Sequence, residues 1–142
     1  MKFLRRLAAN DEGAAVVEMA FALPVLVVLL YMIVQLGEVY RAMAGIQQAL
    51  GQGARYATLC LNPSNSGCEV PTGQQVHDKV VASVYGIGPG QFNANIPTLQ
   101  TTGTTGKYYD LSVTYSQHTS LLLFPGPTIN VTRSKRVWVA SS

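Results

Sequence analysis

Between Glu18 and Glu38 the chain carries no charged side chain. The stretch Met19 to Gly37 would span about 28 Å as an α-helix, close to the ~30 Å hydrocarbon core of a bilayer. A transmembrane segment over about 19–37 is therefore predicted. Glu18 stands at the rim of this run, five residues after Gly13. A carboxylate so close to lipid is costly and normally implies a partner.

Lys2, Arg5 and Arg6 precede the run, and Glu38 and Arg41 follow it. Positive-inside bias puts the N-terminus in the cytoplasm and everything after about residue 40 on the other side. The expectation is a single-pass protein of the inner (cytoplasmic) membrane with an extracytoplasmic C-terminal domain. An ordinary signal peptide cleaved after Ala42-Met43-Ala44 is the rival, since that triplet fits the small-x-small pattern. Its apolar core would be longer than usual, with Glu38 and Arg41 between core and cleavage site.

Gly13-Ala14-Ala15-Val16-Val17-Glu18 opens the hydrophobic helix behind a short basic leader, Leu23-Pro24 interrupts the run, and Gly53-Ala54-Arg55-Tyr56-Ala57 follows. This combination resembles the TadE-like pseudopilins of tight-adherence (Tad, or Flp) pilus systems, relatives of type IV pilins. The resemblance covers roughly residues 10–60, with Met19 where relatives commonly carry an aromatic. It implies a 1–13 leader peptide and cleavage between Gly13 and Ala14 by a prepilin peptidase. Implied partners are other pilin and pseudopilin subunits, the inner-membrane pilus platform with its secretion ATPase, and membrane lipid. The implied role is assembly, and the filament extends outside the cell.

Cleavage at that bond would expose a new amine at Ala14, one helical turn from Glu18. In the pilin-like families this glutamate is thought to pair with the N-terminal amine of a neighbouring subunit. The physics agrees, because carboxylate and ammonium attract strongly in low dielectric only when both are present and well placed. Glu18 could instead simply mark the interface, within reach of water. Pro24, inside the apolar run, removes one backbone donor and crowds the carbonyl of Ala20, so a kink or loosened turn is expected there.

The helical pattern continues past the membrane. Leu36, Val39, Tyr40, Met43, Ile46, Leu50, Ala54 and Ala57 recur at three- and four-residue steps, predicting one apolar face. Glu38, Arg41, Gln48, Gln52 and Arg55 form the opposite, wet face. One long helix over 14–59 follows, with Gly37, Gly45, Gly51 and Gly53 as points where another element approaches closely.

A domain of about 80 residues, 60–142, remains for a folded unit, a size at which a single core is marginal. Cys60 and Cys68 are the only cysteines and flank a stretch dense in turn formers. An even count in an exported domain favours a disulfide, which on the chain-entropy model would add about 2.6 kcal/mol. Two free thiols are the alternative; a metal site has no further ligands at suitable spacing.

Thr72 with Gln75 is a capping-box signal for a helix running to about Tyr85, with Gly86 as its stop. A turn and a weak strand or irregular segment reach about Thr102, and Thr102 to Gly106 reads as a hairpin tip. Tyr109, Leu111, Val113 and Tyr115 alternate with polar residues, as in a strand with one buried face. A last strand, about Thr128–Ala140, places Ile129, Val131, Val137 and Val139 together. The fold class is α+β and pilin-like: a long, partly transmembrane N-terminal helix, then one helix packed on an antiparallel sheet.

Leu121 to Phe124, beside Pro125-Gly126-Pro127, is either core or an exposed contact, with core the default. Arg133, Lys135 and Arg136 with Trp138 suit the wet part of an edge strand better than a lipid-headgroup patch.

The net charge is +3 and falls to +2 without residues 1–13, too mild to argue for nucleic acid. His77 and Asp78, adjacent on a helix, are expected to point to different sides; neither they nor His118 complete a triad. No phosphate-binding glycine loop is evident, and Asn130-Val131-Thr132 fits a glycosylation acceptor only as a chance tripeptide. No catalytic residue, metal site or cofactor is expected. The expected function is a minor pseudopilin of a Tad pilus or related secretion filament, since major pilins of that system are much shorter. The alternatives are an uncleaved membrane-anchored binding module and a domain secreted after Ala44.

Overall fold

The computed structural model describes residues 11–64, 67–84, 88–103, 106–122 and 124–139. The leader up to residue 10, the expected helix stop Gly86, and Leu123 lie outside them. Helix α1 runs unbroken over Asp11–Ala57, about 70 Å at the helical rise, and contains Pro24. It closes with a tighter turn, in which Thr58 N–H donates to Arg55 O at 3.3 Å and Leu59 N–H to Tyr56 O at 3.0 Å.

Strands β1 (Asn62–Ser64) and β2 (Gly67–Glu69) form a small hairpin, and the Cys60–Cys68 disulfide ties it to the end of α1. Helix α2 (Gly73–Ser83) starts where the capping box predicts. Gln75 N–H donates to Thr72 Oγ1, and Thr72 N–H donates to Gln75 Oε1. Helix α2 ends at Ser83, before the expected Tyr85.

The segment expected to be a weak strand or irregular forms two strands, β3 (Gln91–Ala94) and β4 (Leu99–Thr102). Both pair with β5 (Gly106–Ser120), which pairs along its other side with β6 (Pro125–Val139), all antiparallel. Strands β3 and β4 thus lie end to end on one flank of β5. Asn95 fills the break between them: its N–H and Nδ2 donate to Ser112 O and Asp110 O, and its Oδ1 accepts from Ser112 N–H. The side chain takes over where a strand ladder would stop, so the β5 backbone stays paired.

The core lies between this sheet, α2 and the upper half of α1. Tyr109, Leu111, Val113 and Tyr115 from β5 and Val131, Val137 and Val139 from β6 are buried, as the alternation predicts. On α1 the buried set is Val39, Ala42, Ile46, Ala49, Leu50, Ala54 and Ala57. The predicted face is therefore rotated: Leu36 and Tyr40 are exposed, while Ala42 and Ala49 are fully buried. Small side chains there let the twisted sheet approach the helix backbone, which periodicity weighted by side-chain size does not anticipate. Gly53 is one of the expected close approaches: a Cβ added there would stand 2.2 Å from Val80 Cγ2 of α2. Gly37 and Gly51 meet nothing within 4 Å in the described chain.

Candidate functional site

Helix α1 passes through two environments. From Gly13 to Val34 it is exposed on every side, with only Val28 half-buried. At Gln35 it meets the sheet, and from there to Ala57 one face is core. The free half is about 33 Å long at the helical rise. It contains all the charge-free apolar run up to Val34 and is long and apolar enough to cross a membrane.

The residues expected to govern processing and assembly lie on this free half. Gly13, Ala14, Glu18 and Pro24 are all exposed there, remote from the core. Ala14 and Glu18 share a helix face, one turn apart. No salt bridge among the described residues involves Glu18. Pro24 does not end the helix.

The junction between the halves is polar and was not legible in advance. The buried Gln35 holds the backbone of Ser120 at the end of β5 from both sides: its Nε2 donates to Ser120 O, and its Oε1 accepts from Ser120 N–H at 3.0 Å. One turn on, Gln117 Nε2 donates to Glu38 Oε2 at 3.2 Å. Gln117 Oε1 in turn accepts from the Tyr115 hydroxyl at 2.9 Å, and that hydroxyl accepts from Gly90 N–H at 3.0 Å. Glu38 thus belongs to the packed face and not, as its charge suggested, to the wet one. The signal that could have found this junction is Gln35 itself, the only amide side chain between Glu18 and Glu38. Below it, Met32 and Leu36 of α1 and Leu121, Pro127 and Ile129 of the sheet line an apolar cavity of about 140 Å³.

The default assignment of Leu121 to Phe124 as core does not hold for Leu122 and Phe124, and Leu123 lies outside the described residues. Leu122 is 53 % exposed and Phe124 69 %, while Leu121 is half-buried against the cavity. These residues form the β5–β6 turn, beyond the point where the sheet can reach over α1.

At the other end of the sheet, β6 is an edge strand, pairing among the described residues only with β5. Arg136 donates from Nε and Nη2 to the two carboxylate oxygens of Asp110, at 2.8 and 3.0 Å. Its guanidinium also lies 4.3 Å from the centre of the Tyr108 ring, which packs on Trp138 with centroids 5.1 Å apart. The pairing holds the Asp110 carboxyl below its ordinary range. Arg133 and Lys135 lie beside Gln47 and Leu50 on this edge strand, ten residues and more beyond the apolar run, as the edge-strand reading expects.

His77 and Asp78 are closer than expected, with Nδ1 and Oδ1 3.1 Å apart. Adjacent side chains on a helix can meet when both lean outward over its surface. Hydrogen bonds from His77 and Gln74 hold the Asp78 carboxyl below its usual value. His118 is engaged with Thr128 across the hairpin, Nδ1 to Oγ1 2.8 Å. Among the described residues no three His, Cys, Asp or Glu side chains converge to hold a metal. Tyr109 donates its hydroxyl to Pro71 O at 2.8 Å, and burial pushes its phenol above the ordinary value.

A family model matches part of this helix. Residues 13–55 match the family described as TadE-like protein. That segment is similar to the family over about a third of the chain. The match begins at Gly13, covers the free half of α1, crosses the Gln35 junction and ends two residues before the helix does. It is consistent with a TadE-like protein of Tad pilus systems, and the free apolar helix followed by a small domain fits a single-pass membrane protein. No curated protein and no solved structure matches the chain significantly.

Proposed function

We propose that this chain is a minor pseudopilin, a structural and assembly subunit of a Tad pilus or a related secretion filament. The observation that carries the proposal is the coincidence of three things on one segment: the TadE-like match over 13–55, the Gly13–Glu18 motif, and a free helix of membrane-spanning length. Prepilin peptidase would cut between Gly13 and Ala14, leaving Ala14 as the mature N-terminus. The free half of α1 would anchor the subunit in the inner membrane, N-terminus inside, and then pack against other pilin and pseudopilin helices in the filament. Glu18, without a partner in its own chain among the described residues, would pair with the Ala14 amine of a neighbour. Such a pair forms only between processed subunits in register, because an unpaired carboxylate in low dielectric is strongly disfavoured.

The rival cut after Ala44 fits poorly. It would remove Gln35, Glu38, Val39 and the fully buried Ala42 from the unit they help to hold together.

The test is the N-terminal sequence and intact mass of the chain from cells with and without the prepilin peptidase. A start at Ala14 that disappears without the peptidase is expected; an unprocessed chain in both would overturn the processing step. Given that start, Glu18→Ala is expected to reduce pilus number at unchanged subunit level.

A further inference from the structure

The β5–β6 turn lies where the folded unit meets the free helix. Along β5, Gln117 is held by Glu38 and Ser120 by Gln35, so the strand descends toward the N-terminus of α1. Leu121 then meets Met32 across the cavity, one helical turn lower still. The turn thus arrives beside the upper end of the charge-free run.

Its chemistry matches that position. From Thr119 to Thr132 there is no charged residue, and Leu122 and Phe124 project uncovered. Leu122 has φ +69°, the only positive φ of a non-glycine residue among those described. Glycine or asparagine takes this left-handed conformation readily, whereas a leucine there is strained.

Several polar groups of the turn are satisfied within the chain. Leu121 N–H donates to Phe124 O at 2.8 Å, and Leu122 N–H to Ser120 Oγ at 3.3 Å. Gln35 satisfies both Ser120 backbone groups, and Thr119 Oγ1 donates to Pro127 O at 2.6 Å. Pro125 and Pro127 have no N–H to satisfy. Hydrocarbon cannot hydrogen-bond, so a segment entering it must meet its polar needs internally.

We propose that this turn is a second membrane contact, with Leu122 and Phe124 inserted into the leaflet from which α1 emerges. The occupant is lipid because the turn's apolar surface continues that of Met32 and Leu36 on the membrane helix, across a shared apolar cavity. With α1 it makes a two-point attachment that fixes the tilt and rotation of the whole subunit relative to the bilayer while it waits in the membrane. Entry into a filament requires that contact to be released. The proposal rests on the membrane-spanning role of the free half.

The experiment uses the full chain with its disulfide intact, reconstituted in vesicles of equal parts phosphatidylcholine and phosphatidylglycerol. Single variants Leu122→Cys, Phe124→Cys, Val27→Cys and Gln100→Cys carry a polarity-sensitive fluorophore, and lipids brominated at shallow or deep acyl positions quench it. Labels at 122 and 124 are expected about 5–10 Å below the headgroup boundary, the depth of interfacial segments. The label at 27 should lie deeper and that at 100 in water. Labels at 122 and 124 that behave like 100 while 27 is deep would overturn the proposal and leave the membrane span standing. A label at 27 in water would remove the span and the proposal with it. Shielding at 122 without lipid quenching, together with crosslinking of two Leu122→Cys chains, would assign the turn to a second copy and also overturn it.

Discussion

The two halves of α1 are one continuous helix and obey opposite rules. In the free half, Val16 to Val34, large apolar side chains point in every direction and none is buried by the chain. In the packed half, alanines and a glycine share the core face with Val39, Ile46 and Leu50, and Tyr40 faces outward. A helix surrounded by lipid needs bulk apolar character on all sides, whereas a helix under a sheet needs a narrow surface that the sheet can approach. Length and hydropathy describe the first kind of helix and say little about the second.

The comparison is sharpest at matched truncations. Ile46→Ala should cost about 2–5 kcal/mol of unfolding free energy, because it leaves a cavity beneath the sheet. Val27→Ala, on the exposed free half, should leave the same denaturation midpoint unchanged. Chemical denaturation of the detergent-solubilised chain, followed by near-ultraviolet circular dichroism, measures both. Equal effects would mean that the halves are not energetically distinct.

Next in size is the boundary itself. Gln35→Ala strips both backbone hydrogen bonds from Ser120 at a half-dry position, with an expected loss of about 1–3 kcal/mol. Faster amide exchange confined to the end of β5 and the β5–β6 turn would show that Gln35 is the clasp between the halves. Uniform loss of protection over the whole sheet would make it an ordinary core residue.

The smallest effect belongs to the wet edge, remote from the Gln35 junction. Arg136 depresses the Asp110 carboxyl, so the folded chain gains stability above the unfolded carboxylate value, about pH 3.9, and loses it as pH falls through the lower folded value. Asp110→Asn should therefore lower the thermal midpoint slightly at neutral pH, and the gap to the unaltered chain should close below about pH 4. Both groups are exposed, so the shift should also shrink with added salt.

The elements that carry the candidate site were legible in the residues because their signals are local. The charge-free run, the Gly13–Glu18 spacing and the Thr72–Gln75 capping box each declare themselves within one or a few helical turns. The β5 alternation does so within one strand, and the two cysteines needed only each other. Distant partners decided the rest. Gln35 and Ser120 are 85 positions apart, and nothing near either residue says that they meet. Ala42 and Ala49 look unremarkable until a sheet lies on them, and Leu122 reads as core until the hairpin is seen to overhang the helix. Composition and short-range periodicity are enough to specify an anchor, a cap and a strand, because each is stabilised by its own neighbours or by solvent. Which face of α1 is buried, where the polar clasp sits and what the turn is aimed at depend on the pairing of segments far apart in the chain, and only the tertiary structure brings those segments together.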